Sequence, residues 1–413
     1  MELDELLERA LDLPKPWKYV SAELDETGER VEIRVVYEES RAPCPKCGQE
    51  SPRHDSQERR WRHLNLWDYQ TWITCSIPRV KCSEHGVRKL QVPWADGWSR
   101  FTAGFECMVI DWLREASVSA VARYFALTWD QVYGIQKRAV DRGLARRERE
   151  VPKRIGVDET SFQKRHEYVT VVTDLDSGKV LHVADGRGKE ALEGFFRAYS
   201  RKELAGLDVV AMDMHAPYIV AAATHVPGLA DKLCFDRFHV AQLFGKAVDQ
   251  TRRAEHKRLS AQGDTRLKGT RYLWLWAAKE LPKGLRKRLV HVLSAATEVS
   301  KVWSIKEAAS KLWSFQSRAW AQKAWLKLCK AALSLEIPAL TRATNTCLNH
   351  MIGIVNAIVL KVTNARSESI NSRIQSLKRR ANGYRNRARF RAAILFHLGR
   401  LNLYPDPGFH SKA

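Results

Sequence analysis

Several features that would assign this protein to a common class are missing from its sequence. No apolar run approaches the ~18 residues that span a bilayer, and the first residues are acidic and amphipathic, so we expect neither a transmembrane helix nor a signal peptide. The sequence also lacks a glycine-rich phosphate loop, a dinucleotide-binding fingerprint, a clear internal repeat and a low-complexity tract. These absences favour an intracellular protein.

Acidic residues are few in comparison with basic ones. The 413 residues include 69 Lys and Arg but only 47 Asp and Glu, which gives a formal net charge of +22. Because the excess is spread along the chain, it favours nucleic acid as the partner over an anionic membrane surface. A hydrophobic content of 45% with 14 Trp is sufficient for two or three domains with real cores.

Cysteine is scarce, and its spacing is informative. We expect the eight cysteines to be reduced, so paired cysteines indicate metal ligands more than disulfides. Two segments, Cys44-Pro-Lys-Cys47-Gly and Cys82-Ser-Glu-His85-Gly, share the spacing of a zinc knuckle, whose tight turn directs two ligands at one ion. They predict one structural Zn²⁺ in a zinc ribbon, with Cys75 and His54 as alternative ligands. The four predicted ligands are Cys44, Cys47, Cys82 and His85.

The rest of the N-terminal region predicts short regular elements. An amphipathic helix is expected over residues 3–11, followed by a hairpin of strands 19–24 and 31–37. Aromatic and β-branched residues predict strands at 61–66 and 69–80, between the knuckles. From residue 101 to about 147 the apolar spacing is helical.

A helix-turn-helix pattern occupies residues 117–135. Ser119 and Thr128 are expected to cap its two helices, and Val132 and Ile135 to point inward. The second helix would enter the major groove of DNA and offer Gln131, Tyr133 and Lys137. The charged stretch 138–153 is predicted to be a linker.

From residue 154 the pattern changes to strands. Three strands (154–160, 166–173 and 179–183) could form an antiparallel meander, and helix 188–204, strand 207–214, helix 217–223 and strand 231–235 follow. This is the order of a ribonuclease H-like α/β domain. A basic helical stretch to about residue 359 then interrupts the fold. Its tryptophans are predicted to be core anchors more than base-stacking platforms; they are Trp274, Trp276, Trp303, Trp313, Trp320 and Trp325.

Three acids stand out: Asp158 after the first strand, Asp213 after the fourth, and Glu368 on a basic helix that Gly383 is placed to end. In a ribonuclease H-like sheet the first and fourth strands are adjacent, so their terminal carboxylates approach each other and the packed helix can add the third. Mutual repulsion among three carboxylates calls for divalent cations, and hard oxygen ligands suit two Mg²⁺ or Mn²⁺ ions. Phosphodiester chemistry follows from that arrangement.

Each acid also has another interpretation. Glu159 could replace Asp158 as the active group, Asp236 could replace Asp213, and Glu368 could pair with a neighbouring arginine, either Arg366 or Arg373. Asp236 and His239 are predicted to support the acids or to contact substrate. The basic residues around Glu368 are predicted to hold DNA phosphates; they include Arg373, Lys378, Arg379, Arg380, Arg385 and Arg387.

Together these motifs resemble, almost end to end, the DDE-type insertion-sequence transposases of the ISL-three family. The matching segments are the two knuckles, Trp94-Ala, Ser99-Arg-Phe-Thr102, Gly156-Val-Asp158-Glu159, Asp213 with Pro217-Tyr218, Asp236-x-Phe-His239, Asn364-x3-Glu368-x2-Asn371, and Lys378-Arg-Arg-Ala-x-Gly-Tyr-Arg-Asn386. The resemblance implies that Asp158, Asp213 and Glu368 form the catalytic, metal-binding triad and that the N-terminal modules recognise inverted-repeat ends. The sequence departs from the family at His85, where Cys is common, and at Ala365-Arg366-Ser367, where a Gly-containing lead-in is expected.

The sequence thus predicts a multidomain α/β protein. We expect a zinc-ribbon domain (1–98), a helix-turn-helix domain (99–150), a ribonuclease H-like domain (151–240), an all-α insertion (241–360), and a final helix with a basic C-terminal segment (361–413). The predicted function is a DNA transposase that binds terminal inverted repeats, cleaves strands and joins them to target DNA, as a homodimer or larger assembly in the nucleoid-associated cytoplasm of a bacterium. A non-catalytic, domesticated DNA-binding regulator is the main alternative, and a structure-specific nuclease or resolvase is a third.

Overall fold

The computed structural model describes residues 3–163, 167–293, 297–362 and 365–406, and it divides into two compact units. The first unit holds residues up to Glu148 together with the described C-terminal residues from Leu401. The second holds Arg149–Arg400.

The first unit begins with helix α1 (Leu3–Leu11) and a six-stranded sheet. Its strands are β1 (Trp17–Asp25), β2 (Arg30–Tyr37), β3 (Arg41–Pro43), β4 (Glu50–Arg62), β5 (Gln70–Cys82) and β6 (Gly86–Lys89). The sheet order is β1-β2-β5-β4-β3, with β6 also paired to β5, and the β2–β5 pair is parallel. The helix and the β1–β2 hairpin are confirmed.

The strand predicted at 61–66 is wrong, because β4 ends at Arg62. Most of β4 is polar and solvent-facing, so its sequence lacks the aromatic and β-branched pattern of a strand. It is held instead by antiparallel pairing with the apolar strand β5. Beneath the sheet, the Trp94 ring lies 5.1 Å from Trp17 and 5.4 Å from Trp61 in edge-on contacts, which fill the core of this region.

Three helices follow: α2 (Ala103–Glu115), α3 (Val118–Tyr124) and α4 (Trp129–Arg146). Thr128 caps α4 as predicted, and Val132 and Ile135 are fully buried. The predicted cap Ser119 is wrong: Ser117 caps α3, and the Ser119 hydroxyl accepts a hydrogen bond from the Trp129 indole instead.

Helix α4 also runs through much of the predicted linker, because its basic residues have a buried partner. The Glu106 carboxylate is only 1% exposed, and Arg138 and Arg142 both donate to it. A buried carboxylate must be compensated in this way, and the pairing keeps residues 138–146 helical.

The residues from Leu401 return to α4. Arg142 and Arg146 donate to the backbone carbonyls of Leu403 and Tyr404 at 2.7 and 2.6 Å. A Cβ at Gly143 would lie 2.6 Å from the Leu401 Cβ, so the helix offers a glycine where the tail crosses it. The last described segment of the chain is therefore an integral part of the helix-turn-helix region.

The second unit contains a five-stranded sheet of order β11-β10-β7-β8-β9. Its strands are β7 (Arg154–Gln163), β8 (Glu167–Asp174), β9 (Val180–Asp185), β10 (Val209–Met212) and β11 (Leu233–Phe235). The predicted meander β7–β8–β9 and the adjacency of the first and fourth strands are confirmed, with β10 and β11 parallel to β7. Residue 166, the predicted start of β8, lies outside the described residues.

Two details of the helices between these strands differ from expectation. The helix predicted at 188–204 is divided into α5 (Lys189–Phe196) and α6 (Arg201–Leu204), because Ser200 starts a new helix with its own capping box. Helix α7 is Ala216–His225, and Asp231 belongs to the short helix α8 (Leu229–Lys232) rather than to the last strand.

Helices alone are described between the sheet and residue 362. They are α9 (Arg237–Ala261), α10 (Arg271–Leu275), α11 (Lys283–Leu293), α12 (Glu298–Lys311), α13 (Arg318–Leu333), α14 (Pro338–Asn349) and α15 (Met351–Val359), with short 3₁₀ turns at Ala278–Glu280 and Leu312–Ser314. Trp274 and Trp325 are fully buried core anchors as predicted, whereas Trp276 and Trp320 are 47% and 62% exposed.

Helices α16 (Ala365–Arg380) and α17 (Arg387–Leu398) close the unit. Ile370, Ile374 and Phe390 pack on one face of the sheet, and the opposite face packs on α5 and α7. Side chains alternate along a strand, so the even-numbered residues of β7, which include Asp158, face α16. None of the described helices is long and apolar enough to cross a membrane.

Candidate functional site

The two knuckles meet because of strand pairing. Cys44 and Cys47 lie in the turn between β3 and β4, Cys82 is the last residue of β5, and His85 lies in the turn that leads to β6. Antiparallel pairing of β4 with β5 places the start of one strand beside the end of the other, so both turns lie at the same edge of the sheet. The four ligand atoms all lie within 4.8 Å of one another.

The distances in this cluster fit a tetrahedral zinc ion. The Cys47 and Cys82 sulfurs are 3.7 Å apart, and the His85 Nδ1 lies 3.7 Å from the Cys82 sulfur and 3.9 Å from that of Cys44. A tetrahedron with Zn–S bonds of about 2.3 Å has an edge of about 3.8 Å. Three thiolates and one imidazole are also the donor set that structural zinc prefers. The cluster therefore supports a structural zinc site.

The local backbone supports metal binding as well. The backbone N–H and the imidazole of His85 lower the pKa of the Cys82 thiol to about 6, so it is a thiolate at neutral pH. Gly48 and Gly86 follow the two knuckles with φ of 73° and 68°, a conformation that glycine adopts without strain. Cys75 is buried in the sheet core, and neither it nor His54 belongs to the cluster, so these alternatives receive no support.

A second constellation lies where α16 crosses β7, and it forms a regular ladder of contacts. A Cβ at Gly156 would lie 2.6 Å from the Ser367 hydroxyl, Asn371 donates to Asp158 at 2.6 Å, and Gln375 donates to Thr160 at 2.7 Å. Four helical residues rise about 6.0 Å and two strand residues rise about 6.6 Å. Because these two rises are nearly equal, every fourth residue of α16 meets every second residue of β7 over three successive contacts.

Asp158 is held at the centre of this ladder. Its Oδ1 accepts the Glu159 backbone N–H at 2.8 Å, and its Oδ2 accepts the Asn371 amide. Burial raises the pKa of the Asp158 carboxyl to about 6, and the nearby charges of Glu159 and Asp236 add to the effect. Asp158 lies inside β7 and not at its end, because the strand continues to Gln163.

Asp213 directly follows β10. The register pairs Ala211 with Gly156, so continuing the parallel pairing by two residues places Asp213 beside Asp158. Asp213 Oδ1 accepts its neighbour's N–H, that of Met214, at 2.6 Å, and His239 Nδ1 lies 3.5 Å from the same oxygen. Asp236 caps α9, and its charge reaches Asp158.

Glu368 lies at the start of α16, one residue after Ser367 and three before Asn371, and its side chain is exposed. In the described part of the chain, no ion pair joins it to Arg366 or Arg373, so the ion-pair interpretation receives no support. The Glu368 side chain instead lines a cavity shared with Asp236. Among the described residues, Asp158, Asp213 and Glu368 do not form a group whose carboxylate oxygens all lie within 4.8 Å of one another, as the zinc ligand atoms do.

Glu159 is placed differently from Asp158, since its side chain leaves β7 on the opposite face. One of its carboxylate oxygens is buried with no hydrogen-bond partner in the described structure. The fold directs Asp158, not Glu159, towards Asn371. Asn364, which belongs to the same motif as Glu368, lies outside the described residues.

The basic residues predicted to contact DNA are partly engaged within the protein. Lys378 donates to the Ser161 carbonyl at 3.0 Å, Arg379 donates to the Ser376 hydroxyl, and Arg387 forms an ion pair with Glu167 at 3.3 Å. Arg380 contacts His397, whereas Arg373 and Arg385 are exposed.

Gln131 and Lys137, which are predicted to contact DNA from the helix-turn-helix, are also engaged within the protein. The Gln131 side chain accepts the Thr128 backbone N–H in the capping box, and Lys137 forms an ion pair with Asp141. Tyr133 is half-buried. Direct base contact by Gln131 or Lys137 would require these local bonds to exchange for contacts with DNA.

Sequence reasoning named Asn371 only as part of the motif that contains Glu368, and it did not predict the polar stripe of α16 that meets β7. The stripe consists of Ser367, Asn371 and Gln375. A usable signal exists, because these residues recur every four positions beside the apolar stripe of Ile370 and Ile374. Polar residues repeating on the buried side of a helix indicate hydrogen bonds to a neighbouring element.

Three family models match the chain in the order of its modules. The zinc-finger of transposase IS204/IS1001/IS1096/IS1165 matches residues 40–85, the helix-turn-helix domain of transposase family ISL3 matches residues 90–140, and a transposase domain model matches residues 155–394. Together with the sites above, these matches define a DNA transposase. Since the third model covers more than half of the sequence, the chain belongs to the ISL3 family of insertion-sequence transposases.

Curated relatives agree with this assignment. The transposase for insertion sequence element IS1001 of Bordetella parapertussis is 27% identical over 352 residues, which cover 84% of this chain and 86% of the relative. The transposase for insertion sequence element IS1557 of Mycobacterium tuberculosis is 27% identical over 379 residues, which cover 83% and 82%. Both similarities extend over most of the chain and over most of each relative.

Proposed function

We propose that this transposase cleaves and joins DNA strands at a site with Asp158, Asp213 and Glu368 as the ligands of two divalent cations. The observation that supports the proposal is the ladder between α16 and β7, since Glu368 follows Ser367 on the helix that packs against the strand bearing Asp158. The β7–β10 register adds Asp213 from the neighbouring strand. The proposed domain is ribonuclease H-like, with α9–α15 as an all-α insertion before the last helices.

The donor set fits Mg²⁺ or Mn²⁺, because carboxylates are the hard oxygen ligands that these ions prefer. Asp158 and Asp213 would hold one ion, and Glu368 would complete the second site. Bound there, two ions supply activation of a water or 3′-hydroxyl and stabilisation of the leaving oxygen. The raised pKa of the Asp158 carboxyl supports the proposal, since a cation in this position would offset the cost of its buried charge.

Neighbouring groups orient the acids. The Glu159 N–H and the Asn371 amide fix the two Asp158 oxygens, and His239 lies against Asp213. Their role is to hold the carboxylates in one geometry while the phosphodiester is positioned. We therefore propose the same supporting role for His239 and Asp236 that the sequence-based prediction gives them, and we add Asn371 to this group.

The N-terminal modules are proposed to recognise the terminal inverted repeats, with α4 in the major groove. Two ends must be brought together, so we propose a homodimer or larger assembly on DNA, acting at the bacterial nucleoid. The exposed residues Arg373 and Arg385 would contact phosphates beside the acids.

The decisive experiment incubates purified protein with labelled duplexes that carry the repeats flanking the coding sequence, with Mg²⁺ or Mn²⁺. We expect the unsubstituted protein to nick these ends and to join the 3′-hydroxyls to target DNA. Asp158→Asn and Glu368→Gln should each lower cleavage by at least about 10³-fold while end binding persists.

Asp176→Asn is the matched control, since Asp176 is an exposed residue of the β8–β9 turn whose carboxylate pairs with Arg154 at 3.6 Å. It should cleave like the unsubstituted protein. Metal-dependent cleavage by Asp158→Asn or Glu368→Gln would overturn the assignment of the acids. Repeat-specific binding without any cleavage would favour a non-catalytic regulator, and equal cleavage of random DNA would favour a nuclease.

A further inference from the structure

The second unit contains a cavity lined by Asp236 and Glu368. Most of its other lining residues have no role in the proposed cation site. Its volume is about 470 Å³, within the range of about 300–1,000 Å³ that ligand pockets occupy. Asp236 and Glu368 line it together with residues of α9, α15 and the turn after α12. A ligand in this cavity would therefore touch the proposed reaction site.

The walls of the cavity are apolar and aromatic. Trp313, Ile358 and Val362 line it, and Phe238 contributes a ring that is 55% exposed. Phe238 stands in the first turn of α9, two residues after the helix cap Asp236, so its position is fixed by the helix start. A large apolar ring held open to solvent at such a point is suited to contact with a flat ligand.

The same cavity also carries positive charge. Arg237 and Lys361 line it, and the Arg237 guanidinium lies 5.9 Å from the centroid of the Trp313 ring. A guanidinium plane beside an aromatic ring is an arrangement on which nucleobases stack, and cations beside it can hold the attached phosphates. Flat apolar walls combined with cations match a nucleotide better than a purely apolar or purely anionic ligand.

We propose that this cavity receives one nucleobase of the DNA strand being cleaved, unpaired from its partner and next to the scissile phosphate. The inference rests on the proposed function, because Glu368 belongs to both the cavity and the cation site. Taking a base out of the duplex costs stacking and pairing, and contact with Phe238 and the Arg237–Trp313 pair would offset that cost. The extruded base would also fix the register of the strand relative to the acids.

Phe238→Ala tests this directly, since the ring is exposed and its loss leaves the core intact. On a fully paired end we expect strand cleavage to fall about tenfold or more, with end binding unchanged. On an end whose flanking nucleotide is already mismatched, the defect should shrink to about threefold or less, since the cost of unpairing has been removed. Phe238→Tyr, which keeps a stacking ring, should cleave nearly as well as the unsubstituted protein.

Trp320→Ala is the matched control, because Trp320 is 62% exposed and does not line the cavity. It should cleave paired and mismatched ends like the unsubstituted protein. If Phe238→Ala cleaves paired ends normally, or is equally defective on mismatched ends, the base-binding proposal is wrong while the cation site stands. If the unsubstituted protein cleaves no end at all, the proposed function fails and this inference fails with it.

A crosslinking measurement gives a readout that does not depend on cleavage. End DNA with 5-iodouracil next to the cleavage position, bound to the unsubstituted protein in Ca²⁺, should crosslink to the peptide containing Phe238 or Trp313. The same base placed ten nucleotides inside the end should not. Crosslinks from both positions to other peptides only would contradict the proposal.

Discussion

The zinc cluster and the proposed cation site at Asp158 differ in how the chain brings their residues together. The zinc ligands Cys44 and His85 are 41 residues apart, and one strand pair brings all four ligands within 4.8 Å of one another. Asp158 and its partner Asn371 are 213 residues apart and belong to a strand and a helix that meet only when the whole unit has folded. The zinc site therefore depends on two turns joined by one strand pair, whereas the contact of Asp158 with Asn371 depends on the fold of the whole second unit.

The two sites also differ in the direction in which the protein shifts the pKa of a central ligand. Hydrogen bonds from His85 lower the pKa of Cys82 to about 6, whereas burial raises the pKa of Asp158 to about 6. Both groups are therefore anionic at pH 7 to 8 and lose that charge in the same acidic range. Substitutions that affect one site and not the other test how similar the two sites are.

The largest expected effect is the loss of the zinc site. Cys82→Ser should reduce bound zinc from one ion per chain to none and unfold the β3–β6 region, because structural zinc contributes about 10–16 kcal/mol of apparent binding free energy. End binding should be lost, while the second unit keeps its own thermal transition. Zinc content by mass spectrometry, together with calorimetry, measures both.

His54→Ala is the control for that experiment, since His54 is exposed and outside the cluster. It should retain one zinc ion per chain and bind ends normally. Retention of zinc by Cys82→Ser, or its loss in His54→Ala, would show that the ligand set is misassigned.

A smaller effect is expected from Asn371→Ala, which removes the donor to Asp158 without touching an acid. Cleavage should fall about 10- to 100-fold, as is usual when the partner of a metal ligand is lost. The Mg²⁺ concentration for half-maximal rate should rise, which a purely structural defect would not cause. Gln375→Ala removes the next contact of the ladder, the one to Thr160, and should leave the Mg²⁺ requirement unchanged.

The pH dependence of cleavage should follow Asp158. Because its folded-state pKa is raised to about 6, the carboxylate is protonated below that pH and cannot bind a cation. The rate should fall about tenfold per pH unit below the midpoint. Since cations compete with the proton, the midpoint should move to lower pH as Mg²⁺ increases. If the midpoint of the pH–rate profile, measured between pH 5 and 8, does not change with Mg²⁺ concentration, the assignment to Asp158 is wrong.

The smallest expected effect concerns stability. A carboxyl whose pKa is raised on folding destabilises the folded state above that pKa, and the cost is absent below the unfolded pKa. Without divalent cations, Asp158→Asn should therefore raise the Tm of the second unit by a few degrees at pH 8 and leave it unchanged near pH 3. Calorimetry at the two pH values measures the difference.

Asp174→Asn is the contrasting variant. Asp174 accepts hydrogen bonds from the Asp176 N–H and the Ser177 hydroxyl in the β8–β9 turn. Its substitution should lower the Tm at pH 8, so equal effects of the two changes would break the distinction between a metal-site acid and a turn acid.

How well the sequence predicts these features depends on the range of the interactions involved. The knuckle spacing needs no knowledge of the fold, so the Cys44–His85 cluster could be predicted from residues alone. The strand order of the second unit followed from the succession of apolar segments, because few topologies accommodate it. The position of Asp213 beside Asp158 follows from that order.

The failures involve interactions that local patterns do not encode. The polar strand β4 is held by its partner β5, and Ser117 rather than Ser119 is the cap because α3 already begins at Val118. The hydrogen bond of Asn371 to Asp158 connects distant segments, so only the packing of α16 on β7 reveals it. The basic residues of α4 likewise predicted a linker, because the sequence does not show that Arg138 and Arg142 donate to the buried Glu106 carboxylate.

The tail that crosses α4 also orders events during synthesis. Leu401, Leu403 and Tyr404 complete the packing of a helix that the ribosome made more than 250 residues earlier. The helix-turn-helix region therefore reaches its final form only after the three proposed catalytic acids have been translated. A truncated product that ends before residue 401 would lack this packing, so we expect it to bind DNA less well than the full chain.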